Sequence, residues 1–325
     1  MSQPDTRSRT QIILLWFYVA VAWGGSYVAV NIGLSSLPPV FFAATRLDGG
    51  AIVALLLAWI LSDDILPSDR KSVLDVVVTG VFIAAGTNIF LFTGEQYASS
   101  AAGAVIFGMN PVFAGLLSWI LVPKERPDIL GAIGLVVGIV GVGVVVGFHP
   151  TTLLAGQPEQ YLLVFGAASL GLGSVLSRRL NASIEALPAM GWGLLLGGVL
   201  LHTISFALHE QIPTTSTTWT PSLWFAVAYL GIIATGIAYT AYYALLKDIE
   251  AIKVTLVSYL VPVVAAIEGF LILQEPINSS LVTGFVLITI GFALINKTSV
   301  KREILTPVNR YLTQDNPDDG VTQDD

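Results

Sequence analysis

Residues 111–125 read PVFAGLLSWILVPKE, and residues 262–275 read PVVAAIEGFLILQE. Both stretches run from a proline through an apolar segment to a glutamate, and they differ by one residue in length. In each case one glycine follows nine residues after the glutamate and a second follows seven residues later. These glycines are Gly134 and Gly141 in the first case, and Gly284 and Gly291 in the second. The shared order indicates an internal duplication, in which one part of the chain repeats another.

The composition is that of an integral membrane protein. Of the 325 residues, 54% are hydrophobic and 11% are charged, whereas soluble domains carry about 25% charged residues. A soluble core could not accommodate this surplus of apolar side chains, but a lipid bilayer can. The chain has no cysteine, which excludes disulfides, thiolate metal sites and cysteine nucleophiles.

Ten segments are long and apolar enough to cross the bilayer, which takes roughly 20 residues of helix. Helix is the expected conformation, because the backbone in hydrocarbon must satisfy its own hydrogen bonds and the segments lack the alternation of barrel strands. The predicted spans are residues 11–33, 38–61, 72–93, 96–122, 128–148, 160–177, 186–208, 221–246, 251–273 and 280–296.

Basic residues predict the orientation of these spans. Arg46 lies inside a span, and every other lysine and arginine falls in the tails or at alternate connections between spans. Since lysine and arginine are retained on the cytoplasmic side, both termini are predicted to be cytoplasmic. The end of the C-terminal tail, residues 315–325, is acidic without a basic residue, a composition typical of a solvated, disordered segment.

The spans divide into two halves of five. We predict a cytoplasmic tail at residues 1–10, a first repeat at 11–148, an extracytoplasmic linker at 149–159, a second repeat at 160–296 and a cytoplasmic tail at 297–325. Because five is odd, the second repeat must enter the membrane inverted relative to the first. Inverted repeats are a common plan of transporters, with the substrate site near the midplane between the halves.

At this point the chain resembles a known family, the drug/metabolite transporter superfamily, and within it the EamA-type members with ten helices and two repeats. The resemblance covers residues 11–296 and rests on the stretch AWGGS at 22–26, on Pro39 and Arg46, on Pro111 and Glu125, and on Pro262 and Glu275. It implies transport of small metabolites across the cell (plasma or inner) membrane, either coupled to protons or by exchange. The second half departs from the first, with GLGS at 171–174 in place of WGGS and Leu195 at the position of Arg46. An asymmetric site is therefore expected.

Three charged residues within the spans are the first candidates for substrate binding or coupling. A charge at such depth costs several kcal/mol unless it is paired or hydrated. Arg46 would face a central cavity and attract an anionic group, or else serve a structural pairing. Asp48 lies two residues on, points away from Arg46, and is either a coupling site or an interhelical contact. Glu268 could pair with Arg46 or titrate during transport.

Uncharged candidates and helix-breaking residues complete the predicted site. The hydrogen-bonding candidates are Asn31, Asn88, Asn110 and Ser258, and the candidates for an aromatic wall are Trp23, Tyr239, Tyr242, Tyr243 and Tyr259. Pro111 and Pro262 are hinge candidates, because proline interrupts the hydrogen bonding of a helix. Glu125 and Glu275 lie at span ends and are expected to cap helices or anchor them at the interface.

The predicted function is secondary active transport of small organic metabolites, amino acids or similar compounds, by alternating access. The alternative is a membrane-embedded lipid-modifying enzyme, which would need clustered His, Asp or Ser at one interface. Such a cluster, a nucleotide-binding P-loop and metal-ligand spacing are all missing from the sequence, so no enzyme activity, metal or cofactor is expected. The expected partners are the lipid bilayer, a small-molecule substrate and protons, and not nucleic acid.

Overall fold

The structure is a computed structural model that describes residues 7–121, 129–146, 158–212, 219–249, 254 and 257–295. Glu125, most of the predicted linker and the C-terminal tail lie outside these residues. Across the described residues the chain is helical and contains no strand, as the sequence predicts.

Ten helical segments are described, each close to one predicted span. Seven of them, α1 to α4 and α6 to α8, are long and apolar enough to cross a membrane, and α5, α9 and α10 are apolar but shorter. The helices are α1 (Arg9–Leu34), α2 (Pro39–Leu61), α3 (Arg70–Glu95), α4 (Ser100–Phe107 and Asn110–Leu121), α5 (Ile129–Val146), α6 (Tyr161–Leu180), α7 (Ala186–Ala207), α8 (Pro221–Asp248), α9 (Val257–Leu273) and α10 (Ser279–Ile295). The fourth predicted span begins too early, because Ser99 caps α4 by accepting a hydrogen bond from the amide of Ala102.

Three helices contain π-helical segments, which the sequence analysis did not predict. They lie at Thr79–Gly86 in α3, Tyr229–Ile237 in α8 and Gly269–Leu273 in α9. The wider turn shifts backbone bonding from i→i+4 to i→i+5, bends the helix and is frequent at functional sites. The first two segments occupy the third helix of each predicted half.

The packing of the helices is symmetric when the two halves are exchanged. Helix α1 packs on α8 and α9, and correspondingly α6 packs on α3 and α4. Helix α2 packs on α8, and correspondingly α7 packs on α3. Two large contacts remain. One joins the second helices of the two halves, α2 and α7, and the other joins the fifth helices, α5 and α10. The main interfaces therefore join the two halves, so that the space between them is bounded by both.

The duplicated glycines meet where α5 crosses α10. A Cβ atom on Gly134 would lie 2.5 Å from the carbonyl oxygen of Gly291, and one on Gly141 would lie 2.9 Å from that of Gly284. The pairing of the earlier glycine of one helix with the later glycine of the other makes the two helices antiparallel. Small residues permit this close backbone approach in membranes, which explains why both halves carry glycines at the same spacing.

We expect Gly141→Val to destabilise the protein by about 1–3 kcal/mol, because overpacking forces the α5–α10 backbones apart. The measurement is thermal unfolding of the purified protein in detergent. The matched control is Ala132→Val on the exposed face of the same helix, which should unfold like the wild type. Equal unfolding temperatures for the two variants would contradict this account of the glycines.

Candidate functional site

A cavity of about 220 Å³ lies between the two halves and is lined by residues of both. Eight of the predicted candidates line it, namely Trp23, Arg46, Asn88, Asn110, Tyr239, Tyr242, Tyr243 and Ser258. The other polar lining residues are Ser26, Tyr27, Thr87 and Ser174, and apolar side chains such as Leu91, Phe107, Leu170 and Met190 complete the wall. A small volume with a few convergent polar groups is typical of a site for a small molecule.

Arg46 is the charged residue of this cavity. It is buried in α2, where its Nε donates to the hydroxyl of Thr235 at 3.0 Å and its guanidinium lies 5.9 Å from the ring centroid of Phe92. Among the described residues, no carboxylate comes within ion-pair distance of it. A buried arginine without a counter-ion is costly in a membrane, so the site is electrostatically prepared for an anion.

Four aromatic side chains form one wall of the cavity. The ring centroid of Trp23 lies 5.5 Å from that of Tyr239 and 5.2 Å from that of Tyr242, and Tyr243 lies within 6.4 Å of both tyrosines. These are the distances of stacked and edge-to-face aromatic pairs. The wall joins α1 to the part of α8 that follows its π-helical segment.

The π-helical segment of α8 accepts hydrogen bonds from both Trp23 of the aromatic wall and Arg46. The indole nitrogen of Trp23 donates to the carbonyl oxygen of Ala234 at 3.1 Å, and Thr235 accepts from Arg46. The counterpart in α3 has the same arrangement, since the hydroxyl of Ser169 on α6 donates to the carbonyl oxygen of Phe82 at 2.8 Å. The first helix of each half therefore donates a hydrogen bond to a carbonyl in the bent third helix of the opposite half.

Two asparagines of the cavity carry amide oxygens without a donor. The nitrogen of Asn88 donates to the carbonyl oxygen of Ala84 at 2.8 Å, which fixes the orientation of that amide. Its Oδ1 and that of Asn110 are buried and find no hydrogen-bond partner among the described residues. Leaving such an acceptor unpaired costs about 1–3 kcal/mol, a cost that a ligand N–H can offset.

The other predicted residues lie outside the cavity lining. Asp48 bonds His202 of α7 at 2.7 Å, which makes it an interhelical contact. Glu268 lies against α1, with its Oε2 at 2.6 Å from the position of a Cβ on Gly25, and it forms no ion pair with Arg46 within the described residues. Tyr259 packs on Phe292 at 4.6 Å.

The two hinge candidates differ in their helices. Helix α4 is interrupted at residues 108–109, just before Pro111, whereas Pro262 lies inside the continuous helix Val257–Glu268 of α9. The ring of Pro262 is 3.8 Å from the position of a Cβ on Gly108, which lines the cavity, so this proline packs against the interruption of α4.

Several residues of the site were missed by the sequence analysis. Ser26 and Ser174 are the last residues of the WGGS and GLGS stretches, so the repeat itself could have identified them. Tyr27 and Thr87 carry no such signal. Glu95, at the end of α3, was not considered, although it is fully buried and bonded to Asn31.

Polar contacts join the two halves at both ends of the bundle. At one end Glu275 accepts hydrogen bonds from the amide and hydroxyl of Ser100 at 3.0–3.1 Å, and Glu210 accepts from the amides of Val40 and Phe41. At the opposite end the hydroxyl of Ser183 donates to Asp69 in the α2–α3 connection. The acids at the first end cap the N-termini of α4 and α2, a favourable position for negative charge.

The comparisons with known proteins identify a class and then a family. The family model described as the EamA-like transporter family matches residues 10–147 and 158–297. The fold is similar to that of a solved crystal structure with a TM-score of 0.62, at 22% identity, over 90% of this chain and 99% of the other. The protein is thus a multi-pass membrane transporter. It belongs to the EamA-like transporter family, as the resemblance of the sequence predicted.

Named relatives agree with this assignment. The chain is 26% identical to the uncharacterized transporter YoaV of Bacillus subtilis over 88% of this chain and 97% of the relative. It is 28% identical to the uncharacterized inner membrane transporter YedA of Escherichia coli K12 over 78% of this chain and 80% of the relative. These names describe transporters rather than enzymes.

The contact of Asp69 with Ser183 gives a prediction about pH. The hydroxyl of Ser183 and the amide and hydroxyl of Ser72 lower the pKa of Asp69 to about 2 from 3.8. A depressed pKa in the folded state adds stability above the unfolded value, and this is lost as pH falls towards about 2. Asp69→Asn should therefore lower the unfolding temperature near about pH 6 and have little effect near about pH 2.

Thermal unfolding of both proteins across this pH range is the measurement. Asp64→Asn, at an exposed residue of the same connection, is the matched control and should show no such pH-dependent difference. A difference in unfolding temperature between Asp69→Asn and the wild type that is the same at all pH values would contradict hydrogen bonding to an ionised Asp69.

Proposed function

We propose that the protein is a secondary active transporter for amino acids or similar small zwitterionic metabolites, working by alternating access in the cell membrane. The proposal includes ten transmembrane helices in two inverted five-helix repeats, with cytoplasmic termini. Its main support is Arg46, a buried cation that lines the cavity without a carboxylate partner among the described residues. A planar guanidinium matches a carboxylate with two parallel hydrogen bonds.

The remaining cavity groups suit the other parts of such a substrate. A substrate ammonium group would find acceptors in Asn88 and Asn110, whose amide oxygens have no donor within the described part of the chain. The aromatic wall around Trp23 offers faces for an ammonium group or for an apolar side chain. The preferred substrate therefore combines a carboxylate, an ammonium group and an apolar or aromatic side chain.

The test uses liposomes that contain the purified full-length protein and measures exchange of labelled L-phenylalanine and L-leucine. Two analogues separate the contributions, since phenethylamine lacks the carboxylate and 3-phenylpropionate lacks the ammonium group. We expect both analogues to compete with L-phenylalanine much more weakly than L-leucine does. If neither amino acid is exchanged, or if phenethylamine competes as strongly as L-leucine, a zwitterionic substrate is refuted.

Arg46→Gln tests the carboxylate contact directly. Loss of a charged hydrogen bond of about 1.5–3 kcal/mol should raise the half-saturating L-phenylalanine concentration by roughly tenfold or more. The weak competition by phenethylamine should be unchanged, because this analogue has no carboxylate to contact Arg46. The matched control is Arg70→Gln at the exposed start of α3. A half-saturating L-phenylalanine concentration in Arg46→Gln equal to that of the wild type would be inconsistent with the proposal.

A further inference from the structure

A second polar site lies one helical turn beyond the cavity, around the carboxyl group of Glu95. Glu95 ends α3 and is fully buried. Leu91, which lines the cavity, precedes it by four residues or about 6 Å of helix. Gly103 leaves room beside it, because a Cβ there would lie 3.1 Å from the ring of Tyr27 and 3.5 Å from Cδ of Glu95. Tyr27 lines the cavity as well and thus separates the two sites.

The hydrogen bonding of Glu95 is incomplete. Its Oε1 accepts one bond from the amide nitrogen of Asn31 at 3.1 Å. Its Oε2 is buried and finds no partner among the described residues. A buried ionised carboxylate needs several donors or a counter-ion to offset desolvation. This environment favours the neutral, protonated carboxyl group.

Glu275 is the contrasting acid of the same site. It is half-buried and accepts three hydrogen bonds from the amide and hydroxyl of Ser100. The left-handed conformation of Gln274 turns the chain back so that the Glu275 amide bonds the carbonyl oxygen of Gly269. The two carboxyl groups therefore lie in different surroundings, since Glu275 accepts three hydrogen bonds and Glu95 accepts one among the described residues.

A chain of hydrogen bonds joins the two acids. The nitrogen of Asn31 donates to Oε1 of Glu95 and also to the hydroxyl of Ser100 at 2.9 Å. The same hydroxyl donates to Glu275 at 3.0 Å. The chain connects the half-buried acid of the second half of the protein with the fully buried acid of the first. Because the nitrogen of Asn31 donates in both of its bonds, the chain orients the carboxyl group of Glu95 and does not itself relay a proton.

We propose that Glu95 is a proton-binding site of transport, in which Asn31 bonds one carboxyl oxygen and the other, unpartnered among the described residues, takes the proton. This inference rests on the proposed function and specifies its coupling. The proton comes from solvent, binds Oε2 of Glu95 and leaves to solvent on the other side, so that no other reactant is consumed. The charged and polar groups that face Glu95 are Tyr27 and Asn31 of α1, Arg46 of α2, Ser100 of α4 and Glu275.

Arg46 links the proton site to the substrate site. Its guanidinium lies over Phe92, three residues before Glu95 and hence on the same side of α3. An ionised Glu95 would compete with a substrate carboxylate for this one cation, whereas a protonated Glu95 leaves the cation to the substrate. Proton and substrate therefore bind together, and by thermodynamic linkage each strengthens the other. The predicted coupling is symport.

The first test detects the proton without any substrate. Infrared difference spectra of the purified full-length protein, titrated with acid and base, should contain a protonated carboxyl band that Glu95→Gln removes. Glu268→Gln, at a half-buried glutamate outside the cavity, should keep the band. A band that persists in Glu95→Gln, or that sodium abolishes at constant pH, overturns the assignment of a proton site at Glu95.

The second test measures coupling in liposomes. An inward proton gradient should accumulate L-phenylalanine in the wild type, and this accumulation should be lost in Glu95→Gln together with the pH dependence of its half-saturating concentration. Accumulation by Glu95→Gln equal to that of the wild type overturns the coupling.

The two tests separate this inference from the proposed function. The infrared titration needs no substrate, so its failure overturns the proton site even if amino acids are exchanged. Absence of L-phenylalanine exchange alongside an intact Glu95 band counts against the proposed substrate class and supports the proton site. A melting curve of Glu95→Gln shows whether the variant is folded. If it is not, Asn31→Ala, which removes the donor to Oε1 of Glu95, should shift the pH at which the Glu95 band titrates, and an unchanged titration overturns the proton site.

Discussion

Hydrocarbon offers no hydrogen bonds, so each backbone carbonyl in the bilayer must find its donor inside the protein. The bent helices α3 and α8 change their backbone bonding in π-helical segments, and donors come from the opposite half, the indole of Trp23 and the hydroxyl of Ser169. The bends are thus not local features of one repeat. Each can persist only while the first helix of the other half is in place, which couples the shape of each half to its contact with the other.

The same constraint decides where charge can lie. A charge that faces lipid is expensive, so Arg46 is turned inward and its Nε is held by a threonine in the bent part of α8. The position that the sequence aligns with it in the second half is Leu195, which is partly exposed on the outer surface of the bundle. The symmetric frame therefore encloses an asymmetric cavity, with one cation on the side of the first half.

Sequence could predict the parts of the structure that depend on spacing and on the cost of burial. The helices follow from segment length, the duplication follows from the repeated proline, glutamate and glycines, and Arg46 and Trp23 were placed at the cavity by charge and motif. The π-helical segments could not be predicted, because an extra residue per turn has no residue signature. Glu95 was overlooked because it falls at a span end, where acids normally meet water. Asp48 and Glu268 lie within spans, but the faces of the helices that carry them point towards neighbouring helices and not into the cavity.

The contacts at the two ends of the bundle explain how such a molecule can move. Carboxylates at one end hold the N-termini of α2 and α4, and Asp69 holds the second half at the other end. Each contact is a capping or surface bond, weak beside the contacts buried in the helix interfaces. In the proposed alternating access, opening one end would break these polar bonds while the glycine crossings and the bonds to the π-helical segments stay intact. A substrate carboxylate bound to Arg46 would then shift the balance between the two ends.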